Sequence, residues 1–220
     1  FARNSGYTTF VPDNLNIPAG TPKPQKKILQ PDDLAILLSS DKTKYMGKEA
    51  KDPYINAYRL AVLTGIRPGE LIGMQWEDVK ENRIFLRRAI NIYGEKTTGK
   101  NDNAVRAIEL SDMAKSVIDA QRELTKNGKS VFGISDEHLL YKWWRKYCDY
   151  NGINYVSLYE LRHTFVSIAS ALPEGQLKQI VGHSKNMDTF GVYGHAVNGQ
   201  AEKIASAIDE TFKDVLKSTH

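Results

Sequence analysis

The sequence predicts an α+β domain that is mainly helical, and three observations predict it. Apolar residues recur at three- and four-residue spacing over most of the chain, in runs opened by Pro, Asp or Ser and closed by Gly. One internal stretch, Arg83 to Leu110, changes to β-branched residues with partial alternation around a turn-rich segment, which fits a small antiparallel sheet. The length of 220 residues and a hydrophobic content of 41% suffice to fill one core of ordinary size.

Residues 1–27 hold Pro12, Pro18, Pro22 and Pro24 among Gly, Asn and Thr, and read as a linker or arm. The chain opens on Phe1 rather than Met, which adds the expectation of a separate domain upstream. Pro31-Asp32-Asp33 places a proline and two acids in the first turn of a helix carrying Leu34, Ile36, Leu37 and Leu38. Asp52-Pro53 is expected to repeat that device for a helix with Tyr58, Leu60 and Leu63 that ends at Gly65. Pro68-Gly69-Glu70-Leu71 then restarts a short helix with Arg67 at its very beginning, where backbone N–H groups favour an anion.

The segments RIFLRRAINIY and NAVRAIEL, separated by GEKTTGKND, form the sheet. Ser111 caps a helix running to Asn127-Gly128, and another spans about Asp136 to Tyr150. Leu139, Leu140, Trp143, Trp144 and Tyr147 recur there at helical spacing, a pattern of core packing more than of base stacking. A last helix, Gly199 to Leu216, repeats Ile204, Ile208, Phe212 and Leu216 every four residues.

Thirty Lys+Arg against 26 Asp+Glu give a net charge of +4 and a pI of about 9.0, which permits a nucleic-acid partner without establishing one. A single cysteine, Cys148, excludes a disulfide framework within the chain and a cysteine-based zinc cluster. With no apolar stretch near the roughly 18 residues of a membrane span and no signal peptide, a cytoplasmic location is expected.

The chemistry concentrates between Ser157 and His195, which holds Arg162, His163, His183, His195 and a tyrosine, Tyr193, between Gly191 and Gly194. Guanidinium binds phosphate oxygens through paired hydrogen bonds, imidazole exchanges protons with them, and a phenol oxygen can attack phosphorus. Such a set could grip a phosphate and attack it without a metal.

Three segments, TGIRPGEL at 64–71, LYELRHTF at 158–165 and VGHSKNMDTFGVYGH at 181–195, stand in the order found in tyrosine recombinases. From about Leu29 to His195 the chain resembles the catalytic domain of a phage or conjugative-transposon integrase. The resemblance implies the tyrosine recombinase catalytic-domain fold with a small three-stranded antiparallel sheet, clamping duplex DNA together with a separate core-binding domain. Residues 28–198 would be the catalytic domain, and 199–220 a C-terminal helix either exchanged with a neighbouring subunit or packed on its own core.

Residue by residue, Arg67 and Arg162 resemble the two arginines that hold the scissile phosphate, although an arginine taken alone is usually a solvated surface group. His183 resembles the third-box histidine that bonds the phosphate or assists proton movement. Tyr193 resembles the nucleophile that forms a 3′-phosphotyrosyl bond. Related integrases commonly place the general-acid lysine six residues before an arginine on the following strand, which favours Lys100, before Arg106, over Lys96. Tyr159 departs from the pattern, standing where the family most often carries His or Lys. A phenol there can donate a hydrogen bond to phosphate but brings no positive charge at neutral pH. His163 and His195 read as supporting residues, and Glu70 as an orienter of Arg67 or of the local backbone.

The resemblance thus implies a site-specific DNA recombinase needing no cofactor, metal or ATP, acting on double-stranded DNA as a homotetramer on two sites, with a place for accessory DNA-bending factors. A type IB topoisomerase, a non-enzymatic DNA-binding protein on the same scaffold and a metal hydrolase using His163, His183 and His195 are the alternatives. The last lacks a compact metal motif such as HExxH.

Overall fold

The computed structural model describes residues 26–90, 94–97, 106–173, 175, 177, 180 and 200–218, and its axis is one buried helix. Along the chain run α1 (Pro31–Ser39), the hairpin β1 (Lys42–Tyr45) and β2 (Lys48–Lys51), then α2 (Ile55–Thr64) and α3 (Pro68–Gly73). Strands β3 (Val79–Lys80), β4 (Arg83–Leu86), β5 (Ala89–Ile90), β6 (Lys96–Thr97) and β7 (Arg106–Glu109) follow. Helices α4 (Asp112–Thr125), α5 (Glu137–Asn151), α6 (Leu158–Ile168) and the C-terminal α7 (Gln200–Lys217) come after them, and short 3-10 turns stand at Trp76–Asp78 and Ala169–Ala171.

Every residue of α2 except Arg59 is buried, so this helix is covered on nearly all sides and lies among α1, α4 and α6. Arg59 spends its guanidinium on the chain beside it, donating to Leu37 O at 2.9 Å and Ser40 O at 3.1 Å and pairing with Asp41 at 2.6 Å. Asn56 and Gln121 join α2 to α4 through a buried hydrogen bond of 3.0 Å. On the far side, Trp144 and Tyr147 of α5 pack on Tyr58 with ring centroids 4.9 and 6.0 Å away. The aromatic stripe of α5 is therefore core at Leu140, Trp144 and Tyr147, with Leu139 and Trp143 only partly covered.

The helix boundaries follow local chemistry. Pro31, Asp32 and Asp33 occupy the first turn of α1, Ser111 accepts from Ala114 N at the start of α4, and Asp136 accepts from His138 N at the start of α5. The expected repeat of the Pro and acid device at α2 is corrected. The helix begins at Ile55 with Tyr54 as its cap, and Asp52, three residues before the helix, instead accepts the Tyr54 N–H at 2.9 Å. Gly65 ends α2 in the left-handed region at φ 66°, and a Cβ there would meet the Phe165 ring at 2.6 Å.

The main sheet is three-stranded and antiparallel in the order β3-β4-β7, with Ile84 opposite Ile108 and Leu86 opposite Arg106. A second pair, β5-β6, sets Ile90 opposite Lys96. The hairpin β1-β2 was not anticipated from the sequence. Its two-residue loop, Met46-Gly47, has positive φ at both positions, the geometry that closes a tight hairpin, and Tyr45 stacks on Trp143 at 5.3 Å.

Helix α7 lies on its own core, with Phe212 fully buried and stacked against Phe165 at 6.4 Å. Its buried Asp209 accepts from the backbone N–H groups of Asp112 and Met113, a carboxylate at the N-terminus of α4. At the other end of the chain, residues 1–25 of the expected arm lie outside the described residues. Lys27 N donates to Glu160 at 2.9 Å and Leu29 N to Thr164 at 3.0 Å, fastening the segment before α1 to α6. Among the described residues no helix is long and apolar enough to cross a membrane.

Candidate active site

Arg67 is set by the break between α2 and α3. It caps α3, a helix of six residues, and Glu70 three residues on closes a reciprocal loop, its carboxylate accepting the Arg67 backbone N–H at 2.9 Å. The anion that the Arg67 N–H meets at this helix start is the chain's own Glu70. Gly69 is required for the placement of α3. A Cβ at that position would stand 2.6 Å from Ile90 O, so the helix can lie against the backbone of β5 only with hydrogen there.

Arg162 arrives from the opposite side. Ser157 and Glu160 form a capping box that starts α6, and the packing of α6 on α2 carries Arg162 to the end of α2. Its Nη1 donates to Gly65 O at 2.7 Å. The residue is 2% exposed, and burial, followed by the charges of Arg67 and Arg106, pushes its guanidinium down to about 10, still cationic at neutral pH.

Between the arginines stands Glu70, itself buried. Oε1 accepts from Arg67 Nη1 at 2.9 Å and from Arg106 Nη1 at 2.8 Å, while Oε2 accepts from Arg67 N at 2.9 Å and from Arg106 Nη2 at 3.0 Å. Burial alone would raise this carboxyl. The Arg106 hydrogen bonds and charge, then those of Arg67, outweigh it and hold the group below its ordinary value. Arg106 also donates Nε to Ile180 O at 2.9 Å. Among the described residues, three guanidinium groups and one carboxylate form a cluster with excess positive charge, suited to an anion with several oxygens.

Tyr159 lies in the first turn of α6, 44% exposed, near enough to Arg162 to interact with its charge. Its ring meets that of His163 edge-on at 5.5 Å, and His163 Nε2 is buried without a hydrogen-bond partner among the described residues. Arg67, Arg162 and, at the rim, Tyr159 are therefore brought to one place. Lys100, His183 and Tyr193 lie outside the described residues, as does His195. Lys96 belongs to β6. Two contributors had little prominence in the sequence: Arg106 had served only to mark the spacing from Lys100, and the Gly65 carbonyl carried no signal. Glu70 both orients Arg67 and ties down backbone, and its place three residues after Arg67 was the readable sign.

Comparison with known proteins adds the following. A model of the phage integrase family matches residues 27–199. The chain is 23% identical over 177 residues to the ICEBs1 integrase of Bacillus subtilis (strain 168), covering 70% of this chain and 48% of that protein. It is 24% identical over 190 residues to a tyrosine recombinase XerC-like protein of Caldanaerobacter subterraneus subsp. tengcongensis, covering 70% and 49%. The chain thus spans about half the length of these relatives. Among solved structures, the Tn1549 transposon integrase in complex with transposon right end DNA superposes with a TM-score of 0.58 at 20% identity, over 82% of this chain and 65% of that one. A lambda integrase tetramer bound to a Holliday junction gives a TM-score of 0.54 at 16% identity, over 78% and 51%. The fold, with its three-stranded sheet set among helices, is that of these integrases.

Proposed function

The chain belongs to the phage integrase family, and from that premise we propose that it is a site-specific DNA recombinase that cuts and rejoins duplex DNA through Tyr193. The observation that carries the reading is the meeting of Arg67 and Arg162, from two segments far apart in sequence, at the end of α2 beside one buried carboxylate. Two guanidinium groups there would neutralise charge on the nonbridging oxygens of a pentacoordinate phosphorane.

In the proposed reaction the Tyr193 oxygen attacks phosphorus as the bond to the 5′ oxygen breaks, leaving a 3′-phosphotyrosyl link and a 5′-hydroxyl. A phenol is weakly ionised at neutral pH, so the arginines favour the phenolate as attack proceeds, and His183 bonds the phosphate or takes the proton. Lys100 gives a proton to the leaving 5′ oxygen. Tyr159 offers a neutral hydrogen bond where relatives place a cation. The reverse steps, with a 5′-hydroxyl from another strand as nucleophile, rejoin DNA using the energy kept in the phosphotyrosyl bond. Neither ATP nor a divalent metal enters this sequence. The active assembly is proposed to be a homotetramer on two DNA sites, aided by DNA-bending factors, with residues 1–27 leading from a separate DNA-binding domain.

The test is covalent trapping. A pool of nicked duplexes of randomised sequence is incubated with the protein in excess EDTA, and any adduct is digested and mapped. An adduct on Tyr193, absent in Tyr193→Phe, is the expected result; a strict need for divalent metal, or an adduct on another tyrosine, would sink the proposal.

A further inference from the structure

We propose that Arg106 is a positioning residue of this reaction, acting through Glu70 to fix Arg67 against the phosphate. The inference rests on the recombinase reading given above. A carboxylate has about four lone-pair sites, and here all four are taken, two by Arg67 and two by Arg106. Arg67 alone holds the two oxygens through a backbone N–H and one donor of a side chain that can swing, which leaves Glu70 some freedom to turn about its terminal bond. The fork of Arg106 removes that freedom, because two parallel N–H donors fit the carboxylate plane in one orientation only. Fixing Glu70 in turn fixes the Arg67 guanidinium through Nη1 and its backbone through N.

The third donor of Arg106 widens its reach. Nε holds the carbonyl of Ile180, the residue that precedes Val181-Gly182-His183, while Arg106 itself opens β7, directly after the stretch that contains Lys100. One side chain thus joins the helix bearing Glu70, the strand that follows the lysine segment and the residue leading into the third box. A lysine could carry the charge but not the planar geometry, since its ammonium is a point donor.

The probe is the nicked duplex that the unmodified protein traps from the randomised pool, and the readout is the single-turnover rate of adduct formation at saturating protein. Arg106→Gln is expected to slow that rate about a hundredfold, as misplacement of a reacting group by an ångström does, with binding of the intact duplex preserved. Arg106→Lys is expected to recover part of the loss and carries the test should Arg106→Gln fold poorly. In a Glu70→Gln background, Arg106→Gln should cost little more. A bridging 5′-phosphorothiolate, which needs no proton at its leaving group, should not restore the rate.

A rate equal to the unmodified protein in both Arg106 variants would overturn the inference. So would full rescue by the phosphorothiolate, which would place the effect at Lys100, or effects of Glu70→Gln and Arg106→Gln that simply multiply. Failure of the unmodified protein to form any adduct would instead remove the recombinase reading beneath it, a different result from any of these.

Discussion

Helix α2 has a buried carboxylate beyond each end, and the two are pushed in opposite directions from their ordinary acidity. Past its C-terminus Glu70, 4% exposed, accepts four hydrogen bonds from two arginines and is held ionised. Before its N-terminus Asp52, 1% exposed, accepts one backbone N–H, its Oδ2 has no partner among the described residues, and burial pushes the carboxyl up to about 7. Thr43 Oγ1, also of the hairpin end, is likewise buried and unpartnered among the described residues, and the Tyr58 hydroxyl stands near enough to Asp52 to offset part of the rise. Burial is equal at both ends, so the guanidinium groups make the difference. The end that gathers cations holds its carboxylate in one orientation, and the other carries a polar cost.

The largest effect should come from the cationic end. Arg67→Ala and Arg162→Ala are each expected to lower single-turnover cleavage by ~10²–10³, the loss that follows removal of one charge-stabilising donor. Cleavage at the original rate by either variant would show that this end of α2 does not hold the phosphate.

A second effect reaches the same end from behind. Phe212 of α7 packs on Phe165, whose ring abuts Gly65, so Phe212→Ala should cost on the order of 3 kcal/mol in unfolding of the dilute single chain. If α7 were exchanged between subunits in the assembled protein, as remains proposed for this family member, the same substitution would weaken association on DNA and leave the dilute chain's melting unchanged. Denaturant melts at two protein concentrations separate the outcomes.

On cleavage, the smallest effect belongs to the hairpin end, where the change is one of stability with pH. Because the Asp52 carboxyl titrates higher in the folded chain than its ordinary 3.8, the folded state binds more protons than the unfolded one between about pH 3.8 and 7. Its contribution to stability therefore falls as pH rises through that window, by at most roughly 1.4 kcal/mol per pH unit, and is flat outside it. Asp52→Asn should remove this slope. The slope of opposite sign from Glu70, whose stabilisation is lost as pH falls below its ordinary 4.5, should then stand out in urea melts taken at the acid end of the window and below it. An unchanged profile in Asp52→Asn would show that the carboxyl is not raised.

The same contrast marks what could be read in the sequence. Pro31, Ser111 and Asp136 act on the backbone within one turn, so the starts of α1, α4 and α5 were legible. The boxes around Arg67 and Arg162 are short ordered strings and were legible too. The hairpin was not, because KTKY and KEAK carry lysines on both strands and bury only Thr43, leaving no alternation to detect. Nor was the Arg106 fork on Glu70, a contact between residues far apart in the chain that no local period encodes. The wrong start for α2 has a local cause: Asp52-Pro53 resembles a helix opening, yet the aspartate closes a turn one step earlier.

The most direct measurement neutralises the two carboxylates in turn, with Glu70→Gln and Asp52→Asn compared in single-turnover cleavage of one nicked duplex at saturating protein. Both changes are isosteric and lie beyond opposite ends of one helix. The account predicts that Glu70→Gln slows cleavage at least about tenfold, because Arg67 loses its anchor, while Asp52→Asn cleaves at the unmodified rate. Equal slowing by both, or a slower Asp52→Asn, would contradict it.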